Sequence, residues 1–158
     1  MDKITPFLWF NDNAEEAIKL YTSVFKKSKI KSIVRYGKAG PGPEGAVMTA
    51  SLQLFGQNFI LLNGGPQFKF TEAISFVVHC DTQKEVDAYW NKLSANGGQT
   101  SRCGWLKDRF GLWWQIVPTA LPKLLQQKDP EKSKRVVQAM MQMEKIDIAG
   151  LKKAAKGR

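Results

Sequence analysis

Apolar and polar positions along this chain fall into short runs that occur twice. Phe7-Leu8-Trp9-Phe10 is followed by Asn11-Asp12-Asn13 and then Ala14-Glu15-Glu16-Ala17. Sixty-nine positions on, Phe76-Val77-Val78-His79-Cys80 is followed by Asp81-Thr82 and Gln83-Lys84-Glu85-Val86. A compact apolar run bounded by turn residues reads as a buried strand. Each run leads into a helix start, with Asn13 or Thr82 at the N-cap and Glu16 or Glu85 three residues later. That is the spacing at which cap and glutamate satisfy each other's backbone N–H groups. Ala17, Tyr21 and Val24, like Val86, Trp90 and Leu93, then recur at i, i+4, i+7 and give one apolar stripe per helix. Asn96-Gly97-Gly98 closes the second helix with glycine in the left-handed position.

A second pair of segments repeats at a shorter offset. Phe55-Gly56-Gln57-Asn58-Phe59-Ile60-Leu61-Leu62 resembles Phe110-Gly111-Leu112-Trp113-Trp114-Gln115-Ile116-Val117. Each reads as a strand, a Phe-Gly turn and a returning strand. The glycine- and proline-rich stretch 37–45 supplies the extra residues of the first half as a mobile loop. Each half is therefore strand, helix and three strands. The strands lie near 4–10, 29–36, 46–55 and 58–63, then near 74–80, 99–104, 105–110 and 113–117. After Pro118 the pattern turns helical: a short helix around Leu121, Leu124 and Leu125, a longer one from Asp129-Pro130, and a last turn or helix from Ile146 to Leu151. Met140, Met141 and Met143 read as core or as a subunit contact.

Composition narrows the class. The chain has 158 residues, 43% hydrophobic and 24% charged, which excludes a disordered chain. No run approaches the roughly 18 apolar residues of a membrane span. The start lacks a basic stretch followed by an apolar one, so no signal peptide is expected. Cys80 and Cys103 are too few for a disulfide framework and read as free thiols. A cytoplasmic protein is the expectation. The net charge of +10 suggests nucleic acid until it is divided. Residues 1–122 hold 14 basic and 10 acidic groups, for +4; residues 123–158 hold 10 and 4, for +6. That tail has no Phe, Tyr or Trp to read a base, so a solvated helical face is expected and nucleic-acid binding is not.

The paired units resemble the vicinal oxygen chelate superfamily, which includes glyoxalase I, extradiol dioxygenases and bleomycin-resistance proteins. The motifs are similar in particular to its PhnB-like branch, often labelled 3-demethylubiquinone-9 3-methyltransferase-like. The likeness rests on Pro6-Phe7-Leu8-Trp9-Phe10-Asn11 with Ala14-Glu15-Glu16-Ala17, on Phe76-Val77-Val78-His79-Cys80-Asp81, and on the run from Gly104 to Pro118. It implies an α+β fold of two tandem βαβββ units forming a curved mixed sheet over residues 1–118, with a helical extension over 119–158 packed on that domain or on a partner subunit. It also implies a homodimer and a concave, ligand-holding cup.

Metal enzymes of the superfamily place one His or Glu on the first and fourth strands of each unit. Carried over to this sequence, those positions fall at Pro6, at Ile60 or Leu61, at Ser75 and at Gln115. None is an imidazole, carboxylate or thiolate, so no metal site and no cofactor are expected, although a divalent metal bound in another way stays open. Strand alternation places Ser75, Val77 and His79 on one face, and Trp113, Gln115 and Val117 on one face. Ser75, His79, Trp113 and Gln115 are accordingly the candidate ligand-binding residues. His79, the only histidine, is the candidate catalytic group, because its ordinary pKa lies near neutrality; a hydrogen-bonded structural histidine is the competing reading. Asp108-Arg109-Phe110-Gly111 reads as a turn, and the cysteines, with no basic activator, as structural.

Three functions follow. The first is a metal-independent protein holding a small molecule, aromatic ones included, against the tryptophans of the cup. The second is an isomerase, lyase or methyltransferase-like enzyme working through His79. The third is an interaction protein acting through the basic helical tail. An S-adenosylmethionine site of the usual kind is not visible: Gly37 to Gly45 is broken by two prolines and leads into no helix.

Overall fold

The computed structural model describes residues 2–157. The chain forms two compact units, Met1–Phe70 and Thr71–Arg158. In the first, β1 (Phe7–Phe10) leads into α1 (Ala14–Val24), followed by β2 (Ser28–Arg35), β3 (Val47–Leu54) and β4 (Gln57–Asn63). The sheet order is β1-β4-β3-β2, with β1 and β4 parallel and the other pairs antiparallel. Leu8, Phe10, Ala50, Leu52, Phe59 and Leu61 form a buried core with Ala17, Ile18, Tyr21 and Val24 of α1. The stripe expected on this helix is therefore its buried face.

The second unit repeats the plan. β5 (Ser75–Cys80), α2 (Gln83–Ser94), β6 (Gln99–Thr100), β7 (Trp105–Lys107) and β8 (Trp113–Pro118) give the order β5-β8-β7-β6, again with one parallel pair, β5 and β8. Val78, Cys80, Leu106, Trp114 and Ile116 are buried with Val86, Trp90 and Leu93 of α2. The architecture is α+β, two βαβββ units each with its own four-stranded mixed sheet. Three helices follow: α3 (Ala120–Leu125), α4 (Pro130–Met141) and α5 (Ile148–Lys156). Leu121, Val136, Ile146, Leu151 and Ala155 form their own cluster, against which Val117, Met140 and Met143 pack, while Met141 is exposed. Among the described residues no helix is long and apolar enough to cross a membrane.

Several boundaries differ from the pattern-based expectation, each for a local reason. β1 starts at Phe7 rather than near residue 4, because Pro6 has no N–H for the ladder and Ile4 is exposed. β6 is two residues long because Cys103 (φ 58°) and Gly104 (φ 82°) turn the chain. Their N–H groups bond to Met143 O and Glu144 O, in the link between α4 and α5. α5 extends to Lys156, beyond the expected end at Leu151, because Asp147 caps its start and Gly157 (φ 74°) its end.

The two helix starts are not equivalent. Thr82 and Glu85 form the expected reciprocal box on α2. Asn13 makes no side-chain cap bond, so the equivalent box on α1 is absent. Asn63, at the end of β4, takes its place: its Oδ1 accepts from Ala14 N at 2.8 Å and its Nδ2 donates to Val47 O at 2.9 Å. The 37–45 loop, expected to be mobile, is closed at its base. Tyr36 N donates to Ala46 O, Gly45 N to Tyr36 O, and the Tyr36 hydroxyl to Asn63 O at 2.8 Å.

Candidate functional site

The four candidate site residues lie on one face of the second sheet, opposite the face that α2 covers. Register decides this. Ser75 stands beside Trp113, Val77 beside Gln115 and His79 beside Val117 across the parallel β5–β8 pair. Side chains of directly paired residues share a face, so all six point the same way. Gln115 Nε2 donates to Ser75 Oγ at 2.9 Å, which locks the amide to the hydroxyl. Trp113 and Gln115 are half-buried, Val77 is 44% exposed and His79 is exposed. No hydrogen bond or ion pair to the His79 imidazole is formed among the described residues. Three of the four thus form a connected patch, and His79 stands a row away, near the end of β5.

The antiparallel partner strand adds two residues that alternation within single strands did not reveal. β7 pairs with β8 so that Trp105 faces Gln115 and Lys107 faces Trp113. The Trp105 and Trp113 rings meet edge to face at 6.4 Å, and Lys107 Nζ lies 5.8 Å from the centre of the Trp113 ring. The pattern Trp-x-Lys before a turn and Trp-x-Gln after it was the available signal, usable only once the hairpin register is known.

That register is set by Asp108, which is 1% exposed. Its Oδ1 accepts from Phe110 N (2.9 Å) and Leu112 N (3.1 Å), and its Oδ2 from Trp114 Nε1 (2.9 Å). Asp108 is thus a structural turn residue. Charge-assisted bonds of this kind are the strong ones, and here they fix where β8 begins. Cys80, on the α2 side of β5, is fully buried, and burial pushes its thiol up to about 12, with Glu85 and Asp81 adding to the effect.

Comparison with known proteins places this geometry. The profile of the 3-demethylubiquinone-9 3-methyltransferase family matches residues 2–117. The chain belongs to this family. The PhnB protein from Bacillus cereus is similar at 39% identity, covering 75% of this chain and 100% of its own, with a TM-score of 0.70. Protein PA1353 from Pseudomonas aeruginosa shares the fold at 22% identity and a TM-score of 0.62, over 75% of this chain and 98% of its own. The fosfomycin resistance protein FosX from Listeria monocytogenes does so at 12% identity and 0.53, over 78% and 97%. Comparison with curated proteins gives no match. The fold is thus one that this chain shares with the PhnB protein, PA1353 and FosX.

As a member of the 3-demethylubiquinone-9 3-methyltransferase family, the chain can be tested against the two groups its relationships imply. The superfamily's metal positions do not fit a first-row divalent ion. Pro6 offers only its carbonyl, which accepts from Ile60 N at 2.9 Å; Ile60 and Leu61 are aliphatic; Ser75 and Gln115 are neutral and bonded to each other. Among the described residues no group of three or more His, Cys, Asp or Glu could hold a metal. A methyl donor of the S-adenosylmethionine type needs glycines that leave room for its backbone approach. Here that room is filled from within. A Cβ on Gly40 or Gly42 would run into the Tyr36 ring, and one on Gly64 into the Trp9 ring. The cleft of about 500 Å³ beside them is lined by Asn11, Asp12, Tyr36, Pro43, Asn63 and Gly65, with a strand and not a helix following the glycine loop. In this member of the family neither group finds its usual donor set.

Proposed function

We propose that this protein binds a small molecule on the face of its second sheet away from α2, stacking it on Trp113 and orienting it with the Gln115–Ser75 pair, without a metal. The observation that carries this reading is the juxtaposition of two indoles with a fixed amide–hydroxyl pair on a half-buried surface. Binding sites of this kind combine an apolar wall with a few placed polar groups, and nothing in the core requires these groups to be there. Binding is favoured over catalysis because nothing orients His79: a general acid–base group needs to be held against the proton it moves. The homodimer suggested by the superfamily and a cytoplasmic location belong to the same proposal.

Native mass spectrometry of tag-free protein purified without chelator tests it. The expected spectrum is a metal-free dimer carrying a small-molecule adduct, with the adduct lost in Trp113→Ala and weakened about tenfold in Gln115→Leu, the loss of one well-placed polar contact. A stoichiometric divalent metal would overturn the proposal, and so would an adduct that persists in both variants.

A further inference from the structure

The surface just proposed as the ligand site is one-sided in its charge, with an ammonium and no carboxylate, and the following inference rests on that reading. Across one row of the sheet stand Gln99, Lys107, Trp113 and Ser75; across the next, Trp105, Gln115 and Val77; His79 and Val117 follow. An ammonium and an indole N–H can only donate hydrogen bonds. The Ser75 oxygen already accepts from Gln115, which leaves its hydroxyl proton to be donated outward. No carboxylate occupies any of these positions. The nearest in sequence, Asp108, is buried with its oxygens engaged by Phe110 N, Leu112 N and the indole of Trp114, which belongs to the α2 side. Lys107 forms no ion pair among the described residues, and its ammonium rests over Trp113.

We infer that the face selects an aromatic anion: a flat ring carrying a carboxylate or a similar oxyanion. The ring stacks on Trp113 with its edge toward Trp105, and the charge is met by Lys107, with the Ser75 hydroxyl as a further donor on the other side of Trp113. The placement decides against the alternatives. A cationic ring would stack equally well on indole but would meet Lys107 with no counter-charge to offset the repulsion. A neutral ring would leave the ammonium without an anionic partner, and charge-assisted bonds are about twice as strong as neutral ones.

Three probes of one shape test this: 2-naphthoate, 2-naphthamide and 2-naphthyltrimethylammonium, titrated calorimetrically into the full chain at low salt. The naphthoate is expected to bind about tenfold more tightly than the amide, and the cation least well. Lys107→Gln should bring the naphthoate down to the affinity of the amide, as should about 0.5 M sodium chloride, which screens a half-exposed pair. Equal binding of naphthoate and naphthamide to the unaltered protein would overturn the selectivity while leaving the ligand face in place. Absence of binding by all three would overturn the face as a site and this inference with it. Naphthoate binding that survives Trp113→Leu would locate the anion on the general positive charge of the chain, and would overturn the inference as well.

Discussion

Asp108 shows how one side chain can set the geometry of a site it does not enter. It faces away from Lys107 and Trp113, yet its three bonds determine that Trp113, and not a neighbour, begins β8. Asp108→Ala would leave two buried donors, Leu112 N and Trp114 Nε1, and the part-buried Phe110 N without this acceptor, the buried two at about 1–3 kcal/mol each before relaxation. We expect a loss of about 3–5 kcal/mol, read from the urea midpoint, together with a changed Trp105–Trp113 environment in near-ultraviolet circular dichroism. Cys80 carries a pH-dependent contribution of known sign. Its folded thiol titrates near 12, against an ordinary value of 9.0. The unfolded chain therefore releases this proton first as pH rises. The contribution is intact below about pH 9 and is lost between about 9 and 12. The decline of the urea midpoint between about pH 9 and 11 should accordingly be shallower in Cys80→Ala than in the unaltered chain.

At the scale of elements, what could be read in advance was what depends on near neighbours. The stripes of α1 and α2 are buried as their spacing implied, and Thr82 caps α2 through a residue three positions away. The cap of α1 was illegible because it comes from Asn63, 49 positions distant, and Asn13 had the right composition without the contact. β6 was overestimated for the same reason: the donors of Cys103 and Gly104 are satisfied at residues 143 and 144. In the candidate site, Ser75 and Gln115 follow from the family resemblance and His79 and Trp113 from alternation along β5 and β8, whereas Trp105 and Lys107 require the pairing of two strands. A matched set of substitutions checks the capping account. Asn63→Ala, which removes a cap and a strand anchor, should cost about 2–3 kcal/mol, and Thr82→Ala about 1. Asn13→Ala should cost less than about 0.5 kcal/mol, because its side chain makes no cap bond.

At the scale of the whole molecule, the helices after Pro118 are bonded into the second unit. Gln83 holds their connecting segment at both ends of its amide, donating to Ile146 O at 3.0 Å and accepting from Ile148 N at 2.9 Å. Lys145 pairs with Asp87 of α2 at 2.8 Å and keeps that carboxyl below its ordinary range through the hydrogen bond. A chain ending at residue 118 would strand the amides of Cys103 and Gly104 and both arms of Gln83. Deuterium exchange should then accelerate at Cys103 and Gly104, while Ala50 and Leu61 in the first unit keep their protection. Equal loss in both units would show that the helices stabilise more than the unit they are bonded to.

The unequal capping of α1 and α2 has a consequence for the order of assembly. α2 carries both halves of its start signal within a few residues, so its first turn can be organised while the chain is still open. The first N–H of α1 waits for Asn63, and hence for closure of a loop across the whole sheet, an entropic cost met only late. Two copies of one plan are thus expected to acquire their helices at different moments, the helix helping to nucleate the sheet in the second unit and the completed sheet licensing the helix in the first. Weakening Thr82 should slow folding, and weakening Asn63 should chiefly hasten unfolding.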